Sequence, residues 1–202
     1  MRVRLNQVGH NYPGRPLLFD RVTRDLVPGR VYGLAGPSGS GKSTLLSLLA
    51  GWVKPSRGSI EKQGQGCTQW VFQNPHGLAR RSVLDHVALP LVATGLGRRQ
   101  ANLAARQLLG RFGLAGLADQ PFSSLSGGEA GRLMLARGLA AAPALMLVDE
   151  PTAQLDRASA RAVTGSLAAL SGSGAIVVIA SHDPETLAAC GELIDLGNHA
   201  PC

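Results

Sequence analysis

Aromatic residues make up only 4% of this 202-residue chain and charged residues only 16%. So few aromatics leave little material for the base-stacking platforms that single-stranded nucleic acid binders use. The balance of charge is basic, +7, but the arginines are scattered through stretches such as "RPLLFDRVTR" and "LDRASAR" rather than gathered in blocks. No nucleic acid partner is therefore expected; an arginine-rich surface, helpful for docking near an anionic membrane, accounts for the charge. Three cysteines, Cys67, Cys190 and Cys202, form no CxxC and cannot all pair, which argues against a disulfide framework. No apolar run approaches the roughly 18 residues a membrane helix needs: "AIVVIA" (175–180) is strand length, and Pro143 interrupts "GLAAAPALMLV". A signal-peptide core, internal repeats and low-complexity tracts are also missing. With 45% hydrophobic residues, the expectation is a soluble, cytoplasmic globular chain of one domain or two closely packed lobes.

What the chain does have is a regular alternation of elements. Residues 2–8 and 16–27 read as strands around the turn "YPGRP", and 30–36 as a strand running into a glycine-rich loop. A helix over 42–51 ends at a capping glycine. Short strands near 58–62 and 67–72 lead to Gln73, and helices are predicted over 82–92 and 98–112. From there the order is helix (127–141), strand (145–150), helix (157–170), strand (175–181), helix (184–190) and a last strand near 192–196. Strands that are continuous apolar runs alternating with helices predict an α/β fold, a parallel sheet covered on both faces. The mostly helical stretch 76–125 is an insertion at one side of it.

"GPSGSGKST" (36–44) fits G-x-x-x-x-G-K-[ST], with a strand before it and a helix after it. Gly36, Gly39 and Gly41 let the backbone turn its N–H groups inward as a nest for phosphate oxygens, and the helix start adds the positive end of its dipole. Lys42 can reach the β- and γ-phosphates and the Ser43 hydroxyl can ligate Mg²⁺. An ordinary glycine-rich turn would explain the glycines but not the Lys-Ser pair. "LMLVDE" (145–150) places Asp149 and Glu150 at the end of a buried strand, the edge where α/β sheets bind ligands. Asp149 is placed to hold Mg²⁺ and Glu150 to orient and deprotonate an attacking water. Alone, two carboxylates at a strand end would be unremarkable solvated charges.

"LSGGE" (125–129) opens a helix with two glycines, each costing about 1 kcal/mol relative to alanine. A capping box explains Ser126 and Glu129 and leaves Gly127 and Gly128 unexplained. A helix N-terminus whose first residues lack Cβ admits a polyphosphate close to its free N–H groups. Since the P-loop already holds a triphosphate from one side, the economical reading is a second cradle facing the nucleotide of another subunit.

With these residues in view, the chain resembles the nucleotide-binding domain of ATP-binding cassette (ABC) transporters from about residue 3 to 196. "LSGGE" is similar to the family signature, with Arg132 at its arginine; "VFQNP" (71–75) resembles the Q-loop, "AQLD" (153–156) the D-loop and "SHD" (181–183) the switch-histidine motif. Tyr12 matches the aromatic that stacks on adenine. Taken singly, Tyr12 could be a turn aromatic, Gln73 a strand-end polar residue and His182 part of a helix start capped by Asp183-Pro184; six elements in order favour the functional reading. The resemblance implies a P-loop NTPase fold with an N-terminal antiparallel β part: a core of 1–75 and 143–202, and a helical signature subdomain of 76–142. It implies two ATP molecules sandwiched head to tail in a dimer, each between Gly36, Pro37, Ser38, Gly39, Ser40, Gly41, Lys42, Ser43 and Thr44 of one subunit and Ser126, Gly127, Gly128 and Glu129 of the other. His182 contacts the γ-phosphate and holds Glu150 in place, Gln73 senses Mg²⁺, and Asp156 lies at the dimer interface. An integral membrane permease, docked in a groove of the helical subdomain, would hold the chain at the cytoplasmic face of the cell membrane.

Some stretches depart from the family pattern. The segment from Lys42 to Gln73 is short, which trims the β-rich part that builds the adenine side; Ala130-Gly131 and Gln154 stand where other residues are usual, and neither departure removes a catalytic group. "SVLDHVALPLVATGLGRR" (82–99) resembles the lipoprotein-release and macrolide-export type of ATPase. A regulatory ABC ATPase that signals through a membrane protein without transport remains an alternative. One acting on DNA or the ribosome is disfavoured by the single P-loop and the lack of heptads, and a phosphotransferase would leave Gly127 and Gly128 without a role.

Overall fold

The computed structural model of the protein describes residues 1–200 apart from Gln154 and Ser171, so the readings placed on Gln154 and Cys202 lie outside the described residues. Strand β1 (Arg2–His10) buries Val3 and Leu5 by period-2 alternation, then passes through a bulge where Gln7 takes φ 48°, after which Val8 points inward. β2 (Phe19–Leu26) buries Phe19, Val22 and Leu26 against it. This strand begins at Phe19 and not at residue 16, because residues 12–18 close a turn. Arg15 N donates to Tyr12 O (2.9 Å) and Leu18 N to His10 O (2.9 Å), while Pro16 has no N–H to offer a ladder. With β4 (Arg57–Gln63) these strands form a small antiparallel sheet in the order β2-β1-β4.

The apolar runs "VYGLA" (β3, Val31–Ala35), "LMLVD" (β6, Leu145–Asp149) and "IVVIA" (β7, Ile176–Ala180) are buried on both faces, as central strands of a parallel sheet must be. β5 (Thr68–Val71) and β8 (Glu192–Asp195) complete the sheet in the order β5-β6-β7-β3-β8, every pair parallel. On one face Leu145, Leu147, Ile176 and Val178 pack on the leucines of helix α1 (Lys42–Ala50) and on the antiparallel sheet. On the other, Met146, Val148, Val177 and Ile179 meet the core of helices α2 (Val83–Ala93), α3 (Arg98–Arg111), α4 (Gly127–Ala140) and α5 (Arg157–Leu167). α5 is shorter than the sequence suggests, passing into a 3₁₀ turn at Ala168–Leu170. The last helix, α6 (Pro184–Ala188), also stops early, because Gly191 N already bonds Val31 O (3.0 Å) to lead the chain into β8.

Two further contacts join elements around the sheet. Residues 79–84 run beside 118–123: Phe122 N donates to Arg81 O (2.9 Å), Ser123 N to Ala79 O (3.0 Å) and Leu84 N to Ala118 O (2.8 Å). Buried His86 braces this pairing, since its Nε2 accepts from Leu78 N (2.9 Å) and its ring lies 5.3 Å from that of Phe122. The aromatics, scarce and dispersed in the sequence, also gather: Trp52, Trp70 and Phe72 stack in a ladder, with centroids 4.6 Å and 5.4 Å apart. Among the described residues, no helix is long and apolar enough to cross a membrane.

Candidate functional site

β7 lies between β3 and β6, so the segments after Ala35, Asp149 and Ala180 leave the sheet side by side at its C-terminal edge. An open cleft of about 500 Å³ lies there, lined among others by Tyr12, Ser38, Lys42, Gln73, Glu150 and His182. Behind it Gly36 (φ 149°) and Gly41 (φ 93°) leave no room for a side chain: a Cβ would sit 2.6 Å from Ser40 Oγ and 2.8 Å from the Phe19 ring. Gly41 caps α1 in the left-handed region, which is why the tight loop can turn straight into the helix. The adjoining loop residues Gly39, Ser43 and Thr44 line the same cleft, Ser40 folds back against Gly36, and the Pro37 carbonyl receives a long bond from Lys42.

The side chains of Lys42, Glu150 and His182 meet over this loop. Lys42 Nζ donates to Gly36 O (2.9 Å) and lies 3.5 Å from Glu150 Oε1. Glu150 Oε2 accepts from His182 Nδ1 (2.9 Å) and His182 N (3.3 Å). A carboxylate only accepts, so the proton of that bond sits on Nδ1 and Nε2 is left for a ligand. Glu150 has φ 45°, a left-handed conformation that costs a non-glycine residue about 1 kcal/mol or more. The bond from Glu150 N to Ala180 O (2.9 Å) and the two side-chain partners hold it there. Tyr12 leans over the helix start with its hydroxyl 3.4 Å from Thr44 Oγ1, its ring edge-on to buried His10. Gln73 is exposed at the cleft rim.

Asp149 has a buried Oδ1 with no hydrogen-bond partner. Burial raises its pKa, Glu150 adds to the rise, and the Ser43 hydroxyl and Lys42 ammonium oppose it. Such an oxygen beside a hydroxyl suits a divalent cation, which would satisfy it and favour its charged form. Among the described residues no three His, Cys, Asp or Glu side chains cluster as a metal cage. The donor set therefore fits Mg²⁺, which takes one or two protein oxygens and completes its shell with phosphate and water.

None of the signature residues lines this cleft among the described residues. Ser126 and Glu129 form the expected capping box: Ser126 N donates to Glu129 Oε2 (2.8 Å) and Glu129 N to Ser126 Oγ (3.3 Å), and the bonds that Ser126 N and Oγ donate to the carboxylate lower the Glu129 pKa. Gly128 turns out to have a packing role that the sequence concealed. It is buried, and a Cβ there would sit 2.9 Å from the Cβ of Ser159 on α5. Gly127 is exposed, with only the end of Leu155 3.2 Å away, so packing alone does not require a glycine there. Asp156 opens α5, its Oδ1 accepting from Ala158 N (2.9 Å) and Ser159 N (3.0 Å).

The pattern of the ABC transporter family matches residues 19–153. The chain belongs to the ABC transporter family. It is 36% identical to the lipoprotein-releasing system ATP-binding protein LolD of Bordetella avium, over 96% of this chain and 91% of that protein. It is 37% identical to the macrolide export ATP-binding/permease protein MacB of Chromobacterium violaceum, over 89% of this chain but 30% of that longer protein. Among solved structures it resembles a dimeric ATP-binding cassette in a post-hydrolysis state with ADP and phosphate: TM-score 0.78, 26% identity, 96% of this chain and 94% of that one. The chain is thus an ATP-binding and ATP-hydrolysing cassette of the ABC transporter family, similar in sequence to LolD and to the ATP-binding part of MacB.

Proposed function

We propose that hydrolysis is carried by Glu150, held between Lys42 and His182, at a site completed only when a second subunit supplies its signature helix. The carrying observation is that the Lys42–Glu150–His182 cluster is assembled within one chain while Ser126, Gly127 and Gly128 do not line its cleft. On ATP binding, Lys42 Nζ would exchange the Gly36 and Pro37 carbonyls for β- and γ-phosphate oxygens, and the P-loop N–H groups would hold the rest of the triphosphate. Freed from Lys42, Glu150 accepts a proton from the attacking water, and His182, anchored through Nδ1–H on Glu150, donates a hydrogen bond from Nε2–H to a γ-phosphate oxygen, with both ring nitrogens then carrying protons. Tyr12 would stack on the base. Ser43 and Asp149 would hold Mg²⁺ with Gln73 at the rim; when bound, the ion neutralises charge developing on the phosphate oxygens. The chemistry asked of the protein is positioning and electrostatics.

The exposed N-terminus of α4 at Gly127 is the natural cradle for the partner's triphosphate, and Asp156, exposed at the start of α5, belongs at the same dimer face. We divide the chain into a core of 1–75 and 143–202 and a helical subdomain of 76–142. A cleft of about 270 Å³ lies between β5 and α4, lined by Trp70, Phe72, Met134 and Arg137. It adjoins Gln73, and there we place the cytoplasmic helix of the permease, so that the chain is peripheral at the cytoplasmic membrane face. By likeness to LolD and MacB, the permease is of the lipoprotein-releasing or macrolide-export type.

The test is Glu150→Gln with MgATP. This variant should bind ATP, fail to turn over and elute as a dimer in size exclusion with light scattering, while the nucleotide-free protein elutes as a monomer. Turnover at the wild-type rate would remove Glu150 as the base.

A further inference from the structure

Beneath the cleft three threonine hydroxyls from different elements converge. Thr186 in α6 is fully buried and Thr152, two residues after Glu150, nearly so. Thr186 Oγ1 lies 2.6 Å from Asp183 Oδ2, 3.3 Å from Thr152 Oγ1 and 3.1 Å from Thr164 Oγ1 on α5. A hydroxyl has one proton and two lone pairs. Asp183 is ionised, its pKa lowered first by the Thr186 hydroxyl and further by the Thr186 and Glu185 N–H groups. It can only accept, so the Thr186 proton goes to Asp183, and Thr152 and Thr164 must both donate to Thr186. Every site of that hydroxyl is used.

The connections run straight to the reacting groups. Asp183 follows His182 and caps α6 through Thr186 N (3.0 Å), which sets the turn from which His182 reaches Glu150 Oε2. Thr152 sits in the turn that Ala153 N closes on Glu150 O (3.1 Å), and Leu155 N bonds back to Thr152 O (3.3 Å) on the way to Asp156. Asp183 is also bonded through its N–H to buried Ser181 Oγ (3.0 Å).

We propose that Thr186 is a positioning residue for hydrolysis. Its saturated hydroxyl locks the Glu150–Thr152 turn to the His182–Asp183 turn, and so fixes the base and the switch histidine relative to each other and to the Asp156 segment. It touches no nucleotide and acts through Asp183 and Thr152. The inference rests on the hydrolytic roles assigned above to Glu150 and His182.

Thr186→Val keeps the shape and removes the hydroxyl, leaving Thr152, Thr164 and the Asp183 carboxylate short of a partner. Because small misplacements in an active site are costly, kcat should fall roughly tenfold or more while the KM for ATP stays within about twofold. Thr186→Ser should restore most of kcat. Wild-type kcat in Thr186→Val, equal impairment in Thr186→Ser, or a loss carried by KM would each overturn the proposal. Thr164→Val, at the less buried end of the network, removes one donor and should show a smaller loss of the same kind should Thr186→Val not fold. Independently of turnover, the imidazole ¹⁵N shifts of His182 should report a hydrogen-bonded Nδ1 in wild type and in Thr186→Ser, and move toward those of free histidine in Thr186→Val. Unchanged shifts would overturn the positioning role. A wild-type chain without ATPase activity would instead count against the hydrolytic reading, leaving the shifts to decide the geometry.

Discussion

Lys42 shows how a residue can be satisfied and poised at once. Its ammonium donates to the Gly36 carbonyl and pairs with Glu150, partners that a phosphate would replace with charge-assisted bonds worth about 1.5–3 kcal/mol. Lys42→Ala should therefore weaken ATP binding by roughly 10–100-fold, measured by calorimetry or fluorescent nucleotide displacement. Binding unchanged by the substitution would place the triphosphate elsewhere. Asp149 illustrates the opposite arrangement, a carboxylate left without a partner for its buried oxygen. With Mg²⁺ chelated, turnover should cease in a chain that still folds, and Asp149→Asn should show the same loss in the presence of Mg²⁺.

At the scale of elements, the two signature glycines separate under substitution. Gly128→Ala drives a Cβ to within 2.9 Å of Ser159 on α5, an overpacking cost of about 1–3 kcal/mol against a helix gain of about 1 kcal/mol. Gly127→Ala meets only a movable leucine tip and should leave the melting temperature unchanged or slightly raised. If the N-terminus of α4 receives a phosphate, Gly127→Ala should nevertheless abolish ATP-driven dimerisation in the Glu150→Gln background. A variant that is both stable and fully dimerising would reduce the pair to packing. The caps of α4, α5 and α6 make a second prediction. Glu129, Asp156 and Asp183 all have pKa values lowered, first by hydrogen bonds from Ser126, Ser159 and Thr186 respectively. A lowered carboxylate stabilises the fold above its ordinary value of about 4 and loses that contribution as pH falls through the folded value. Thermal unfolding followed from pH 6 downward should show stability falling below about pH 4, and Asp183→Asn should flatten part of that slope.

Considered as a whole, the molecule is one parallel sheet with a leucine-lined helix and a small antiparallel sheet on one face and the signature helices on the other. The stretch following Gln73 and the stretch entering the signature are paired backbone to backbone and braced by His86 on Phe122. If the second ABC subunit is another copy of this chain rather than a different cassette, the melting temperature of the Glu150→Gln protein with MgATP should rise with protein concentration as well as with ATP. For a single site at about a hundredfold excess over Kd the stabilisation is about 2.7 kcal/mol, a shift of roughly 5–10 °C in a domain of this length. Dependence on ATP alone, with none on protein concentration, would describe a cassette that binds without pairing.

Local chemistry made most of this readable from the chain. The P-loop, the Asp149-Glu150 pair, the capping box and the apolar strands all depend on residues close in sequence, where periodicity and spacing carry the information. Helix ends at 157–170 and 184–190 were overrun because their termination comes from a 3₁₀ turn and from a backbone bond to β3, neither of which has a local signal. The packing role of Gly128 against Ser159, the stack of Trp52, Trp70 and Phe72, and the meeting of Thr152, Thr164 and Thr186 were invisible for the same reason. Each joins residues from elements far apart in the chain, and only the order of strands in the sheet and the packing of helices on its faces bring them within contact. The sequence by itself determined which groups are present and which turns hold them; tertiary structure decided which of them touch.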